Sequence, residues 1–199
     1  MKLSISGYGE HGKDELAKIL KRISILKYTK STSAYVKDEM FEYMKKLGFQ
    51  YKDVEECYDD RINHREKWAR FIDDFNEEDP ARLYKRCLKD QDILTGVRRK
   101  HEFEAVKALD VIDICIWVER KNFHKNDTTQ TYGPELCDMI ILNDDLVSLR
   151  KRMIRLCRQW NILKCQHAGH VITQNYRMCQ YCDVQERELL AKKEAHFVI

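Results

Sequence analysis

The stretch Gly7-Tyr8-Gly9-Glu10-His11-Gly12-Lys13-Asp14 constrains this chain more than any other. It follows a short apolar opening at Leu3 and Ile5 and runs into a segment where Leu16, Ile19, Leu20 and Ile23 recur at helical spacing. The reading is a strand, a glycine loop and a helix. Gly7, Gly12 and Lys13 fit the G-x-x-x-x-G-K half of a phosphate-binding loop, in which backbone N–H groups and a helix N-terminus surround phosphate oxygens. The last position departs from that pattern. A Ser or Thr after the lysine would place a hydroxyl on Mg²⁺, and Asp14, followed by Glu15, stands there instead. A glycine-rich turn that merely joins a strand to a helix is the competing reading; the strand-to-helix setting favours the phosphate loop.

The 199 residues suit one domain of ordinary size with a small appendage. Charged side chains make up 35% of the chain, yet 36 basic against 33 acidic leave a net charge of +3, so no global basic field argues for a nucleic-acid partner. No apolar run approaches a membrane span and no signal-peptide core opens the chain. The expectation is a soluble, cytoplasmic protein with no membrane partner. Of the cysteines, Cys57, Cys87, Cys115, Cys137 and Cys157 are scattered through helical or strand-like segments, as thiols in a reducing compartment are. Nothing in the pattern fixes an oligomeric state.

Few glycines and prolines punctuate the chain, which predicts many helices and few loops. Tyr28–Ser33 reads as a short strand or a loop, and Lys37–Leu47 as a helix stopped by Gly48. In the segment from Tyr58 to Phe75, Arg61, His64, Arg65 and Trp68 lie three, four or seven apart and share one side of a helix. A solvated charged face explains that cluster; so does a site for a phosphate and a base. A further helix is expected from about Pro80 to Cys87. Asp92–Arg99 reads as a buried strand whose carboxyl end presents Arg98, followed by a helix through Glu102, Ala105, Val106 and Leu109. Val111–Arg120 and Met139–Leu142 are strands, the second stopped by Asn143-Asp144-Asp145, and Leu146 to about Leu163 is a basic helix. The polar stretch between these strands suits a lid. Alternating strands and helices predict an α/β fold with a parallel sheet.

With the loop, Gly96-Val97-Arg98-Arg99-Lys100-His101-Glu102 and Asp138-Met139-Ile140-Ile141-Leu142-Asn143-Asp144 in this order, the chain resembles the P-loop deoxynucleoside monophosphate kinases of bacteriophages. That family is similar in its G-K-D, in a V-R-x-x-x-E segment after a central strand, and in a D-x-x-I-x-N segment near the end of its core. The resemblance covers roughly residues 1–155, with 121–137 as the lid, and leaves 156–199 as an appendage. It implies a three-layer P-loop core in the host cytoplasm and Mg²⁺-dependent transfer of the γ-phosphoryl group of ATP to a nucleotide 5′-phosphate. Lys13 and the backbone from Gly9 to Asp14 would hold the donor's phosphates, and Asp14 would bind Mg²⁺. Arg98 would bind the acceptor phosphate or the transferring group, with Arg61, His64 and Arg65 beside the acceptor and Arg120 and Lys125 closing from the lid. Asn143 and Asp144 would lie near the donor's base or ribose. Gly96 stands where family members often have an acidic residue, and Glu15 replaces a hydroxyl residue, so the magnesium ligands are left open. Relatives in phages with modified DNA imply a second acceptor, a 5-hydroxymethylpyrimidine within DNA. A non-catalytic nucleotide- or DNA-binding module is the third reading.

Near the end of the chain, Cys165-Gln166-His167-Ala168-Gly169-His170 precedes Cys179-Gln180-Tyr181-Cys182. This is close to the spacing of structural zinc sites, with Cys165, His167, Cys179 and Cys182 as the best ligand set and His170 as the substitute for His167. A closed four-ligand site would be structural, not catalytic.

Overall fold

The computed structural model describes residues 1–121 and 129–164. Lys125 of the expected lid and the zinc set Cys165, His167, His170, Cys179 and Cys182 lie outside the described residues. Strands β1 (Leu3–Ser6), β2 (Ile93–Thr95), β3 (Ile114–Glu119) and β4 (Met139–Leu142) form one sheet in the order β2-β1-β3-β4, and every neighbouring pair is parallel. The α/β expectation therefore holds. Leu3 is in register with Ile93 on one side and Ile114 on the other. The chain leaves β1 for β2 and then crosses back to β3, so the winding reverses at β1 and β3. Ligands of open parallel sheets bind beyond the carboxyl ends of the strands at such a point.

Helices cover both faces of β2, β1 and β3, whereas β4 buries Ile141 on one face and leaves Ile140 and Leu142 exposed on the other. On one face Leu3, Ile5, Ile116, Val118 and Ile141 pack with Leu16, Leu20 and Ile23 of α1 (Lys13–Ile23) and Leu149 and Met153 of α7 (Leu146–Gln159). On the other, Leu94, Cys115 and Trp117 meet Leu83 and Tyr84 of α5 (Arg82–Cys87) and Phe103 and Val106 of α6 (Lys100–Ala108). Burying a Leu or Ile side chain contributes about 1.5–3 kcal/mol. That anchors α1 along the sheet and holds its N-terminus at the carboxyl edge. Met40, Met44, Cys57 and Trp68 form a separate cluster that joins α2 (Lys37–Lys46), α3 (Val54–Asp59) and α4 (Arg65–Phe75) into a helical insert.

Several expected boundaries move, each for a local reason. The helix through Arg61 and Trp68 is interrupted: α3 ends at Asp59, a tight turn spans Asp60–Ile62, and α4 begins at Arg65. The Asp60 carboxylate accepts from Asn63 Nδ2 (2.7 Å) and the Tyr51 hydroxyl (2.9 Å), and these bonds hold its pKa low. Local side-chain bonds of this kind compete with the helix ladder. The last helix stops at Gln159, because Asn161 is left-handed (φ 56°) and the chain doubles back to pair with the end of α1 through Ile25 N–H to Ile162 O (2.9 Å). β3 starts at Ile114, after left-handed Asp110 (φ 52°) and after Asp113, whose N–H donates to Lys2 O. Pro80 precedes α5, and Tyr28–Ser31 is a connection that leads into a 3-10 turn over Thr32–Val36.

The described second half of the expected lid is docked. Thr131 N–H donates to Arg98 O (2.9 Å), and the buried Tyr132 hydroxyl bonds Ser6 Oγ (2.6 Å) and donates to Val97 O (2.9 Å). Its ring packs on Phe103. A buried tyrosine needs both a ring contact and a hydroxyl partner, and a polar-looking stretch supplied both.

Cys87, Cys115 and Cys157 are buried, and burial pushes their thiols from 9.0 up to about 12, 11 and 12. A thiol that ionises in the unfolded chain but not in the folded one stabilises fully below pH 9.0. Above that value the unfolded state binds fewer protons, so stability falls as pH rises. These three thiols are expected to remove on the order of 1 kcal/mol each per pH unit above that point. The melting temperature should therefore decline steeply on the alkaline side, and less steeply in Cys157→Ala; calorimetry at stepped pH checks both.

Candidate functional site

β1 ends at Ser6, and the chain then passes so close to β3 that a Cβ on Gly7 (φ 145°) would lie 2.4 Å from Val118 O. Only glycine fits that crossing. Glu10 (φ 64°) and Gly12 (φ 94°) are also left-handed, so the loop turns back on itself before α1 begins at Lys13. Gly12 is the N-cap of α1 and brings no side chain to the first N–H groups of the helix. A Ser or Asp cap would occupy those donors; a glycine leaves them to a ligand, and an anion is the natural one. Lys13 is 9% exposed and folds its Nζ into the loop, donating to Gly7 O (2.7 Å) and Tyr8 O (2.5 Å).

The loop is held from beneath by the ends of two strands. His11 is fully buried, and its Nδ1 accepts the Arg120 N–H at 3.1 Å, just past β3. Asn143, just past β4, donates from Nδ2 to His11 O (3.0 Å) and from its N–H to Glu119 O (2.7 Å). The same Nδ2 lies where a Cβ on Gly12 would be, 2.2 Å away. Loop, β3 and β4 are thus keyed together.

A cleft of about 370 Å³ opens on the carboxyl side of the sheet. Gly9, Glu10, Lys13 and Asp14 from the loop and α1 line it, with Arg61, Arg65, Gly96 and Arg98 from three other segments. Trp68, Ala69 and Ile72 supply an apolar wall along α4. Arg65 crosses to the loop and pairs with Glu10 at 3.1 Å. Arg61 lies over the Tyr58 ring (4.0 Å) and donates to Tyr58 O, and Arg98 donates to Thr129 Oγ1 (2.6 Å). The lining holds five basic residues, Lys13, Arg61, Arg65, Arg98 and Arg99, and five acidic ones, Glu10, Asp14, Asp59, Asp73 and Glu102. What it binds is therefore decided by where the charges sit, not by their sum.

No protein-family model and no curated protein matches the chain. The site must be read from its own geometry. Of the residues expected from sequence to meet there, Gly9, Glu10, Lys13, Asp14, Arg61, Arg65 and Arg98 do. His64 does not line the cleft: its Nε2 faces Asp60 Oδ2 (3.1 Å) and its ring stands edge-on to Phe49. Glu15 pairs with Lys18 on the exposed side of α1, and Asp144 pairs with Arg152 (2.7 Å). Gly7, His11, Gly12 and Asn143 shape the loop from behind, and Arg120 meets it through the backbone. Among the described residues no group of three or more His, Cys, Asp and Glu is arranged to hold a metal ion, and no helix is long and apolar enough to cross a membrane.

The sequence reading missed one wall. Glu102, 1% exposed, accepts from Asn76 Nδ2 (2.7 Å), from the Tyr84 hydroxyl (2.7 Å) and, more weakly, from Arg99 N–H (3.4 Å). Arg99 forks onto Asp73 through Nε (2.9 Å) and Nη2 (2.7 Å), and those bonds raise its pKa. Burial, then the neighbouring Glu102, pushes the Tyr84 hydroxyl well up, so it stays a donor. Glu102 stood in the V-R-x-x-x-E segment; Asn76 and Tyr84 carried no pattern that points to a site.

Proposed function

We propose that this protein is an ATP- and Mg²⁺-dependent phosphotransferase of the P-loop kinase type that converts a deoxynucleoside monophosphate to its diphosphate. The observation that carries the reading is one cleft that collects Lys13 and Asp14 from the head of α1 with Arg61, Arg65 and Arg98 from elsewhere in the chain. Its volume falls in the range of small-ligand sites. Phosphoryl transfer asks mainly for positioning and for cations around the transferred group, and this set offers both. The loop N–H groups and Lys13 hold the donor's phosphates once Lys13 turns from its own carbonyls. Arg98, Arg61 and Arg65 hold the acceptor phosphate. Asp14 is an exposed carboxylate on the cleft wall and fits a magnesium ion, which keeps several waters and takes few protein ligands; the ion supplies charge neutralisation on the donor phosphates. Structural zinc on Cys165, His167, Cys179 and Cys182 belongs to the same proposal, on ligand spacing alone.

Labelled ATP incubated with a panel of deoxynucleoside monophosphates, and separately with hydroxymethyluracil-containing DNA, tests the reading. Label in a deoxynucleoside diphosphate is the expected result. Label in DNA would move the acceptor to a base in a polymer, and label in neither would leave a non-catalytic binding module.

A further inference from the structure

We propose that the outer face of the α1–α7 layer is a docking surface for duplex nucleic acid, held by its phosphate backbone without any reading of bases. None of the cations of this face lines the cleft, so the surface is separate from the proposed phosphotransfer site and independent of what that site accepts. Residues 146–164 hold six cations, Arg150, Lys151, Arg152, Arg155, Arg158 and Lys164, and no acid. The chain's net +3 less these six charges leaves −3 on everything else, so positive charge is gathered here and not spread over the molecule. α7 buries Leu149, Met153, Ile154 and Cys157 on the sheet, which turns Lys151, Arg155 and Arg158, at i, i+4 and i+7, out to solvent in one stripe. α1 lies beside α7 in the same core and does likewise: Leu16, Ala17, Leu20 and Ile23 are buried, and Lys18, Lys21 and Arg22 are exposed. Lys164 adds to the second row, donating from Nζ to Lys21 O (2.7 Å).

A solvated helix face ordinarily interleaves acids with bases, and on α7 the acids are missing. Lys18 pairs with Glu15 and Arg152 with Asp144, but no described carboxylate pairs with Lys21, Lys151, Arg155, Arg158 or Lys164. Cations in a last turn suit the helix dipole, which accounts for Lys21, Arg22 and Arg158. It does not account for Lys151 and Arg155 in the middle of α7, like charges one turn apart that weaken the helix they stand on. A polyanion relieves that repulsion. Arg22, Arg155 and Arg158 also present the planar fork that matches phosphate oxygens. The stripe on α7 is about 10 Å long, and neighbouring helices lie about 8–10 Å apart. Those spans are comparable with duplex grooves about 6–12 Å wide, so two rows of cations suit phosphates on both strands. Neither helix contains an aromatic residue on which an unpaired base could stack, and Trp160 packs against the core beneath; both facts favour a duplex over a single strand. The apolar faces of both helices are packed on the sheet, so neither helix is available to lie in a lipid headgroup layer.

Fluorescence anisotropy of the full chain with a short labelled DNA duplex, at stepped salt concentrations, tests this directly. The logarithm of the affinity is expected to fall with the logarithm of salt at a slope of about −3 or steeper. Neutralising the stripe with Lys151→Gln, Arg155→Gln and Arg158→Gln together is expected to weaken binding at least about tenfold and to make the slope shallower by about 2–3. If the triple variant does not fold, the pair Lys151→Gln with Arg155→Gln carries the same test, with an expected change in slope of about 1–2. A parent protein that does not bind the duplex overturns the assignment. So does a neutralised variant that keeps the parent's affinity and slope, which would move binding elsewhere on the chain. Tighter binding to a single strand of the same length, or binding to phosphatidylserine vesicles without binding to the duplex, would overturn it as well.

Discussion

Replacing Lys13 by methionine is expected to slow phosphoryl transfer by about 10²–10³-fold, the usual scale for removing one cation or donor aimed at transition-state charge. The ammonium at the head of α1 lies within hydrogen-bond reach of Gly7 O and Tyr8 O, inside the loop that encloses the proposed donor phosphates. Methionine keeps the length and the buried stem but neither the charge nor the donors. The melting temperature should change little, because the loop is tied down at other points: Gly7 against Val118, His11 on the Arg120 N–H, and Asn143 on His11 O. Turnover at saturating ATP and acceptor, with calorimetry on the same preparation, separates the two effects. A Lys13→Met protein that transfers phosphate as fast as the parent would remove the loop from the chemistry.

The loop, the central strands and the helical faces were legible because each rests on a short-range rule. Glycine at Gly7 and Gly12, apolar spacing from Leu16 to Ile23, and the run from Ile114 to Val118 state their structure locally. What the sequence hid depends on partners far away in the chain. Asn143 looked like the end of a strand open to a ligand, but its amide is drawn under the loop by His11 O, 132 residues earlier. His64 has helical spacing to Arg61 and Trp68, yet Asp60 and Asn63 break the helix before it. The wall of Glu102, Asn76 and Tyr84 joins three helices, or their caps, that no period connects. Tyr132 sat in a stretch too polar to read as core, and only the packed ring and the paired hydroxyl show why it is buried.

Gly7→Ala and Gly12→Ala should fail in different ways, although both glycines belong to one motif. At Gly7 the new Cβ would stand 2.4 Å from Val118 O, which is backbone in a strand hydrogen-bonded on both sides. Neither β1 nor β3 can give way without breaking the ladder between them. The expected loss is about 3 kcal/mol or more. That corresponds to a fall of roughly 6–12 °C in melting temperature for a chain of this size. At Gly12 the clash is with Asn143 Nδ2, the end of a rotatable side chain, so the chain can relieve it by turning the amide aside. Alanine at φ 94° still carries left-handed strain of about 1–2 kcal/mol, and the rest of the cost moves to the site: His11 O loses its donor and the loop loses its tie to β4, so ATP affinity should drop more than stability does. Asn143→Ala removes the same tie without the clash. The double variant Gly12→Ala with Asn143→Ala should therefore be less impaired than the sum of the singles, a coupling that a mutant cycle in melting temperature and ATP binding reads directly. Strict additivity in the cycle would show that Asn143 does not support the loop.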